Sequence, residues 1–324
     1  MFAFIVRRSV QAVIVMLVIS LIAFIIQHNI GDPVREMVGI RVSRAEREVL
    51  RDKLGLNDPV TTQYFRFLKN AVRGDLGISY HYKKPAGGVI LKKAPATIEL
   101  VFVSSLIIFF FSFPAGLYTA IRPHTALTKI IMGFSTIGVA VPVFLIAIAL
   151  IYVFGVELHW LPVYGRGETV NIGGWESGLF TLDGWVHLIL PSFSLASIMA
   201  PLYIRLIRSE MMEVLEKEYI KFAWAKGLTK GRVWMIHAFK NTLLPVITVA
   251  GVEMGILFAF TLLTEAVFQW PGMGFMFLEA VTRADTALIV AYLVVVGAMF
   301  VIINTIVDIT YGYINPMVRI AGTK

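Results

Sequence analysis

The chain has 324 residues, 57% of them hydrophobic and 15% charged, with a mean hydropathy of +0.77. That profile excludes an ordinary soluble domain and describes a polytopic membrane protein. Lys+Arg 29 against Asp+Glu 21 gives a formal net charge of +8, and the lack of cysteine excludes disulfides, thiolate metal sites and iron–sulfur clusters.

In a soluble protein this basic surplus would suggest a nucleic-acid partner. Here the cations lie in loops beside apolar runs, so membrane insertion is the simpler cause and no nucleic acid is expected. Arg7 and Arg8 precede an apolar run over residues 9–26. The run is longer than a signal-peptide core and no small-x-small site follows it, so residues 1–29 read as a retained first transmembrane helix with a cytoplasmic N-terminus. Residues 30–94 are polar and mixed in charge, an outer region on the opposite side of the membrane. In it, Ser43-Arg44-Ala45-Glu46 is a capping-box pattern. Asp58-Pro59 opens a further helix carrying Tyr64, Phe65 and Leu68 on one face. Gly74-Asp75-Leu76-Gly77 reads as a turn.

Five more spans follow, giving an all-α fold with six transmembrane helices and a transmembrane domain over residues 95–310. The second span covers 96–121, followed by a tight basic turn to Lys129. The third covers 130–156 with Pro142 inside it, and internal proline kinks a helix. An acidic, glycine-rich outer loop, whose one cation is Arg166, runs to Trp185. The fourth span, 186–207, is interrupted by Pro191 and Pro201. After a charged loop over 208–242 come the fifth span, 243–263, an outer segment from Glu265 to Asp285, and the sixth span, 286–309. The tail, 311–324, is expected in the cytoplasm with the N-terminus, an arrangement that satisfies the charge bias of every short loop.

The loop over 208–242 is the longest charged interval after the first hundred residues, and Lys217, Lys221, Lys226, Lys230, Arg232 and Lys240 put it on the cytoplasmic side. It reads as two short helices meeting at Gly227, a residue suited to a left-handed helix stop, with Thr229 able to cap the second. Tyr219, Phe222, Ala223 and Lys226 are spaced as one helical face. Such an amphipathic knob suits docking on another protein or resting on anionic lipid, and the spacing leaves both open.

Elsewhere, Gly251, Gly255 and Ala259 form a small-residue stripe for close helix packing. Glu253 is an acid near mid-span, a candidate for lining a path or for a structural polar pair. Neither a P-loop nor H-E-x-x-H nor G-x-S-x-G occurs, so no bound ATP, metal or catalysis is expected of this chain. No relay of intramembrane ionisable groups or repeated filter is evident, which argues against a proton-coupled carrier or a passive channel.

The loop resembles the EAA loop of ABC importer permeases, with Lys221-Phe222-Ala223 in the Glu-Ala-Ala place and Gly227 as its glycine. His237-Ala238-Phe239-Lys240 replaces the usual apolar tail, and Leu244-Pro245 comes late. The wider string Tyr219-Ile220, Ala225 to Thr229, His237-Ala238, Asn241 and Leu244-Pro245 is similar to the dipeptide, oligopeptide and nickel branch, in its first (B-type) permease. Ile30 to Val34, Gly74 to Gly77 and Glu265 to Gly274 carry the likeness along the chain. The resemblance implies a permease subunit of a cytoplasmic-membrane importer in a bacterium or archaeon. A homologous permease would complete the pore. Two ABC ATPases would bind ATP and Mg2+ and dock on Tyr219, Lys221, Phe222, Ala223, Lys226, Gly227, Leu228 and Thr229. An extracytoplasmic substrate-binding protein would deliver peptides, or alternatively a nickel chelate or glycoconjugate. Trp270, Pro271, Gly272 and Gly274 become candidates for an outer gate or receptor contact.

Overall fold

The computed structural model describes residues 2–30, 46, 48–49, 51–52 and 55–314. Most of the capping-box pattern at Ser43 and the tail beyond 314 lie outside them. In chain order the elements are α1 (Phe2–Ile30), α2 (Val60–Val72), the hairpin β1 (Ile78–Ser79) and β2 (Lys84–Pro85), and α3 (Ala86–Ile121). Then come α4 (Ala126–Ala140), α5 (Val143–Leu150) continuing as a π-helical Ile151–Glu157, and the hairpin β3 (Val170–Ile172) and β4 (Trp175–Ser177). After these are α6 (Leu182–Leu215), α7 (Glu218–Ala225), and α8 (Lys230–Arg232), which runs through a π-helical Val233–Phe239 into α9 (Lys240–Val267). Last come α10 (Met273–Thr282) and α11 (Thr286–Ile314). Among the described residues five helices are long and apolar enough to cross a membrane, and a sixth crossing exists if α4 and α5 are one broken span.

The described chain forms two compact units, one of residues 96–270 with the chain from 306, the other of residues 2–95 and 271–305. In the first, α3, α6 and α9 enclose a core of Leu100, Leu188, Leu195, Met199, Leu257 and Trp270. The interruption expected in α6 is absent: the helix runs unbroken through Pro191 and Pro201. Hydroxyls from two neighbours meet its backbone at the second proline. Ser112 Oγ donates to the Ala200 carbonyl at 3.2 Å and Ser135 Oγ to the Pro201 carbonyl at 2.8 Å. These bonds fasten α3 and α4 to α6 at that turn.

The expected third span is instead broken, with α4 and α5 meeting at 112°. Val141 is extended (φ −90, ψ 125), the conformation forced on a residue before proline, and Pro142 caps α5 at φ −58. The pair still counts as one crossing. Ala120, at the end of α3, packs with Met211 and Val214 at the end of α6 and with Ile220 and Ala223 of α7. Glu99, on α3 close to where this unit begins at residue 96, binds Arg166 in the loop before α6. Residues 126–157 therefore carry the chain from one end of this unit to the other.

In the second unit, buried Asp285 caps α11 by accepting from Leu288 N at 3.2 Å. It also accepts from Ser79 Oγ at 2.5 Å and His81 N at 3.2 Å, tying the β1–β2 hairpin to that helix. The turn expected at Gly74 to Gly77 is there, with φ +81 and +87 at its glycines.

α3 crosses α6 at Gly116, where an added Cβ would stand 2.7 Å from Ile207 Cβ and 3.1 Å from the Ile204 carbonyl. Gly116→Ala is expected to cost about 1–3 kcal/mol by overpacking. Gly133→Ala, which would meet nothing within 4 Å, is expected to be silent. Thermal unfolding of the purified variants in detergent measures both.

Candidate functional site

α7 is short, closed at its end and fastened on one side. Glu218 in its first turn complements the helix dipole. Gly227, at φ +74, stops it. The Gly227 N–H donates to Trp224 O at 2.9 Å and the Leu228 N–H to Ala223 O at 3.4 Å, the paired bonds of a Schellman stop. Ile220 and Ala223 are buried, sharing a cluster with Ala120 of α3, Met211 and Val214 of α6, and Val233 and Ala238 of the π-helical turn. Leu228 packs on the same cluster.

The outward face carries Tyr219, Phe222 and Lys226. Phe222 is 61% exposed, and Lys226 Nζ lies 4.6 Å over its ring. Tyr219 is exposed with its hydroxyl accepting from Asn241 Nδ2 at 3.1 Å. Lys221 Nζ donates to Glu218 Oε1 at 2.7 Å, a bond that holds the ammonium pKa above its ordinary value. Helical spacing grouped Ala223 with the outward residues, whereas the fold turns it inward with Ile220, because the end of α6 covers that side. Thr229 occupies the N-cap position of α8 with no side-chain capping bond. The second short helix expected there is the start of the long rod that becomes α9. The knob is thus bolted to α6 before it and to α9 after it.

A second constellation gathers at the other end of the same unit. The Glu99 carboxylate, 2% exposed, pairs at 2.7 Å with Arg166, 8% exposed. Glu99 also accepts from Gly178 N at 3.3 Å and Trp175 Nε1 at 3.4 Å, while Arg166 donates to the Glu176 carbonyl at 2.5 Å. Beside this run of bonds, Glu265, fully buried, accepts from Thr97 Oγ1 at 2.6 Å. Trp270, also fully buried, donates from Nε1 to the Ala96 carbonyl at 2.9 Å. Trp270 therefore has no surface to offer a receptor. Gly272 and Gly274 are buried as well, and Pro271 is half-buried.

Glu99, Arg166 and Glu265 were missed as a group in the sequence. The signal for Glu99 was present: it is an acid inside the apolar run 96–121, and such acids are costly unless paired.

Glu253 is half-buried on α9. Among the described residues it makes no hydrogen bond or ion pair. Gly251 marks a close approach within the chain, since a Cβ there would fall 1.8 Å from Val307 Cγ1 of α11. Gly255 is buried and Ala259 exposed, so the small-residue stripe turns outward along its length. Among the described residues no cluster of three or more His, Asp or Glu could hold a metal ion.

The chain matches the family described as binding-protein-dependent transport system inner membrane component over residues 112–320, and that family's N-terminal model over residues 1–101. It is similar to the oligopeptide transport system permease protein AppB of Bacillus subtilis, with 36% identity covering 98% of this chain and 100% of the relative. It is 34% identical to the dipeptide transport system permease protein DppB of Alkalihalophilus pseudofirmus, again over 98% and 100%. A third relative, the glutathione transport system permease protein GsiC of Escherichia coli, is 30% identical over 98% and 99%.

The Glu99–Arg166 pair yields an asymmetric expectation. Arg166→Met alone leaves a buried carboxylate and should cost about 3–5 kcal/mol. Adding Glu99→Gln should restore much of that loss, because the burial penalty falls on the unpaired charge. Melting temperatures of the two single variants and the double variant in detergent provide the comparison.

Proposed function

This chain belongs to the family of binding-protein-dependent transport system inner membrane components, and we propose that it is the first permease subunit of an ATP-driven importer moving di- and oligopeptides across the cytoplasmic membrane. The observation that carries this reading is α7, a closed helix whose outward face leaves Tyr219 and Phe222 exposed, with only Lys226 over the Phe222 ring, while its inward face is locked into α3, α6 and the π-helical turn before α9. An ATPase subunit docked there would grip a handle continuous with two membrane helices. Closure of two such ATPases around ATP and Mg2+ would swing α6 and α9 and switch the pore from one side to the other. The nucleotide chemistry lies in those partners, and this chain makes and breaks no bonds.

A homologous permease would supply the other half of the pore, and an extracytoplasmic binding protein the substrate. Relatives named for oligopeptide and dipeptide transport support a peptide substrate. Glu253, half-buried and without an ion pair among the described residues, suits the cationic amino end of a peptide in transit. Both termini are assigned to the cytoplasm.

Burying a phenylalanine side chain contributes about 1.5–3 kcal/mol. Phe222→Ala is therefore expected to reduce recovery of the ATPase subunits in pull-downs of the tagged chain about tenfold or more. Gly227→Ala places a Cβ in open space but at a φ of +74, so its effect is backbone strain alone, about 1–2 kcal/mol. It should impair ATP-driven peptide uptake in proteoliposomes at normal assembly. Undiminished ATPase recovery with Phe222→Ala, together with normal uptake by Gly227→Ala, would overturn the coupling assignment.

A further inference from the structure

We propose that α2 is an interfacial anchor, lying in the headgroup layer at the membrane face where α1 ends. Phe65 and Val72 would enter the acyl boundary, and Lys69 and Arg73 would meet lipid phosphates. The first observation is depth. α1 is a membrane span over Ile5–His28, and its side chains at Val10, Val13, Ile14, Leu17, Val18 and Leu21 are exposed as lipid-facing residues are. α2 is pinned to this span well inside its end. The Tyr64 hydroxyl bonds Ser20 Oγ at 2.9 Å and donates to the Leu17 carbonyl at 3.4 Å. Phe24 packs edge-on against Tyr64 at 5.4 Å and against Phe67 at 5.9 Å. At 1.5 Å per residue, Ser20 lies roughly 12 Å inside the His28 end. A tyrosine side chain reaches only part of that distance, so the α2 backbone stands at the level of the headgroups rather than in bulk water.

The second observation is what α1 leaves uncovered. The face of α2 that packs on α1 includes Tyr64 and Phe67. Phe65 remains 68% exposed and Val72 82%. These two are seven residues apart, so they fall in one line along the helix. Lys69 and Arg73 follow at four-residue steps on the polar side of that line. Neither cation has an ion pair among the described residues, whereas Arg66 is held by Asp58 and by the Gly55 carbonyl. An apolar edge bordered by unpaired cations is the pattern of a helix that rests on anionic lipid. Attachment to a membrane span at Leu17, Ser20 and Phe24 selects a bilayer as the occupant over a soluble protein.

The absence of native cysteine gives a direct test. Phe65→Cys, Val72→Cys and Thr62→Cys are each spin-labelled in the assembled complex in nanodiscs, and collision rates with oxygen and with a water-soluble nickel chelate are measured. The expected result is severalfold more oxygen than nickel contact at 65 and 72 and the reverse at 62. With Lys69→Gln/Arg73→Gln added, the labels at 65 and 72 should lose their greater burial in anionic over zwitterionic nanodiscs. Nickel-dominated contact at 65 and 72 would overturn the proposal in favour of a solvated helix. Shielding from both reagents would overturn it in favour of a covering protein. Two labelled positions, both highly exposed, keep the outcome readable if one variant fails to assemble.

Discussion

Hydrocarbon offers no water to a backbone or side-chain polar group, and the arrangement of this chain depends on that constraint. It explains why long helices make up the crossings and why the only strands among the described residues are two small hairpins. It also explains where the buried hydroxyls point. Along α3, Ser104 returns its hydroxyl to the Leu100 carbonyl and Thr119 to that of Gly116, while Ser112 reaches across to α6. A serine bonded in this way can sit in a close-packed helix crossing without asking for solvent, whereas the buried Ser192 and Ser194 hydroxyls of α6 have no partner among the described residues.

Buried charge follows a harsher version of it. Glu99 and Arg166 exist in the interior only as a pair, with Gly178 and the β3–β4 hairpin filling further sites around them. The pair joins α3 to the loop before α6. At the opposite end of the same unit the packing is apolar, and α7 is held by Ile220 and Ala223 rather than by charge. One end is thus oriented by directional bonds and the other by an apolar seat. That difference suits the proposed coupling, in which a partner would act on the apolar end while the far end keeps its geometry.

Much of this was legible from residues alone. The helix stop at Gly227 followed from its lack of a Cβ, and the observed φ of +74 is the conformation that argument requires. The number and order of the apolar crossings followed from run length and from the cations in short loops. What escaped was set by tertiary contact. Spacing could group Ala223 with Tyr219 and Phe222, but only the end of α6 decides which side is covered. Trp270 next to Pro271 reads as an interfacial aromatic, yet it is buried, with its indole N–H on the Ala96 carbonyl, a partner 174 residues away in sequence. Proline gave the location of the break at residue 142 but not its 112° angle, which belongs to the packing of α4 and α5 on α6.

That break bears on how the protein is made. α4 has 15 residues and a length of about 22 Å, and α5 with its π-helical extension is no longer, whereas a hydrocarbon core is about 30 Å thick. Neither arm alone qualifies as a crossing when it leaves the ribosome. Both owe their bent arrangement to α6, which is synthesised after them and against which both pack. The bend at Pro142 therefore has its packing partner only once α6 has been made.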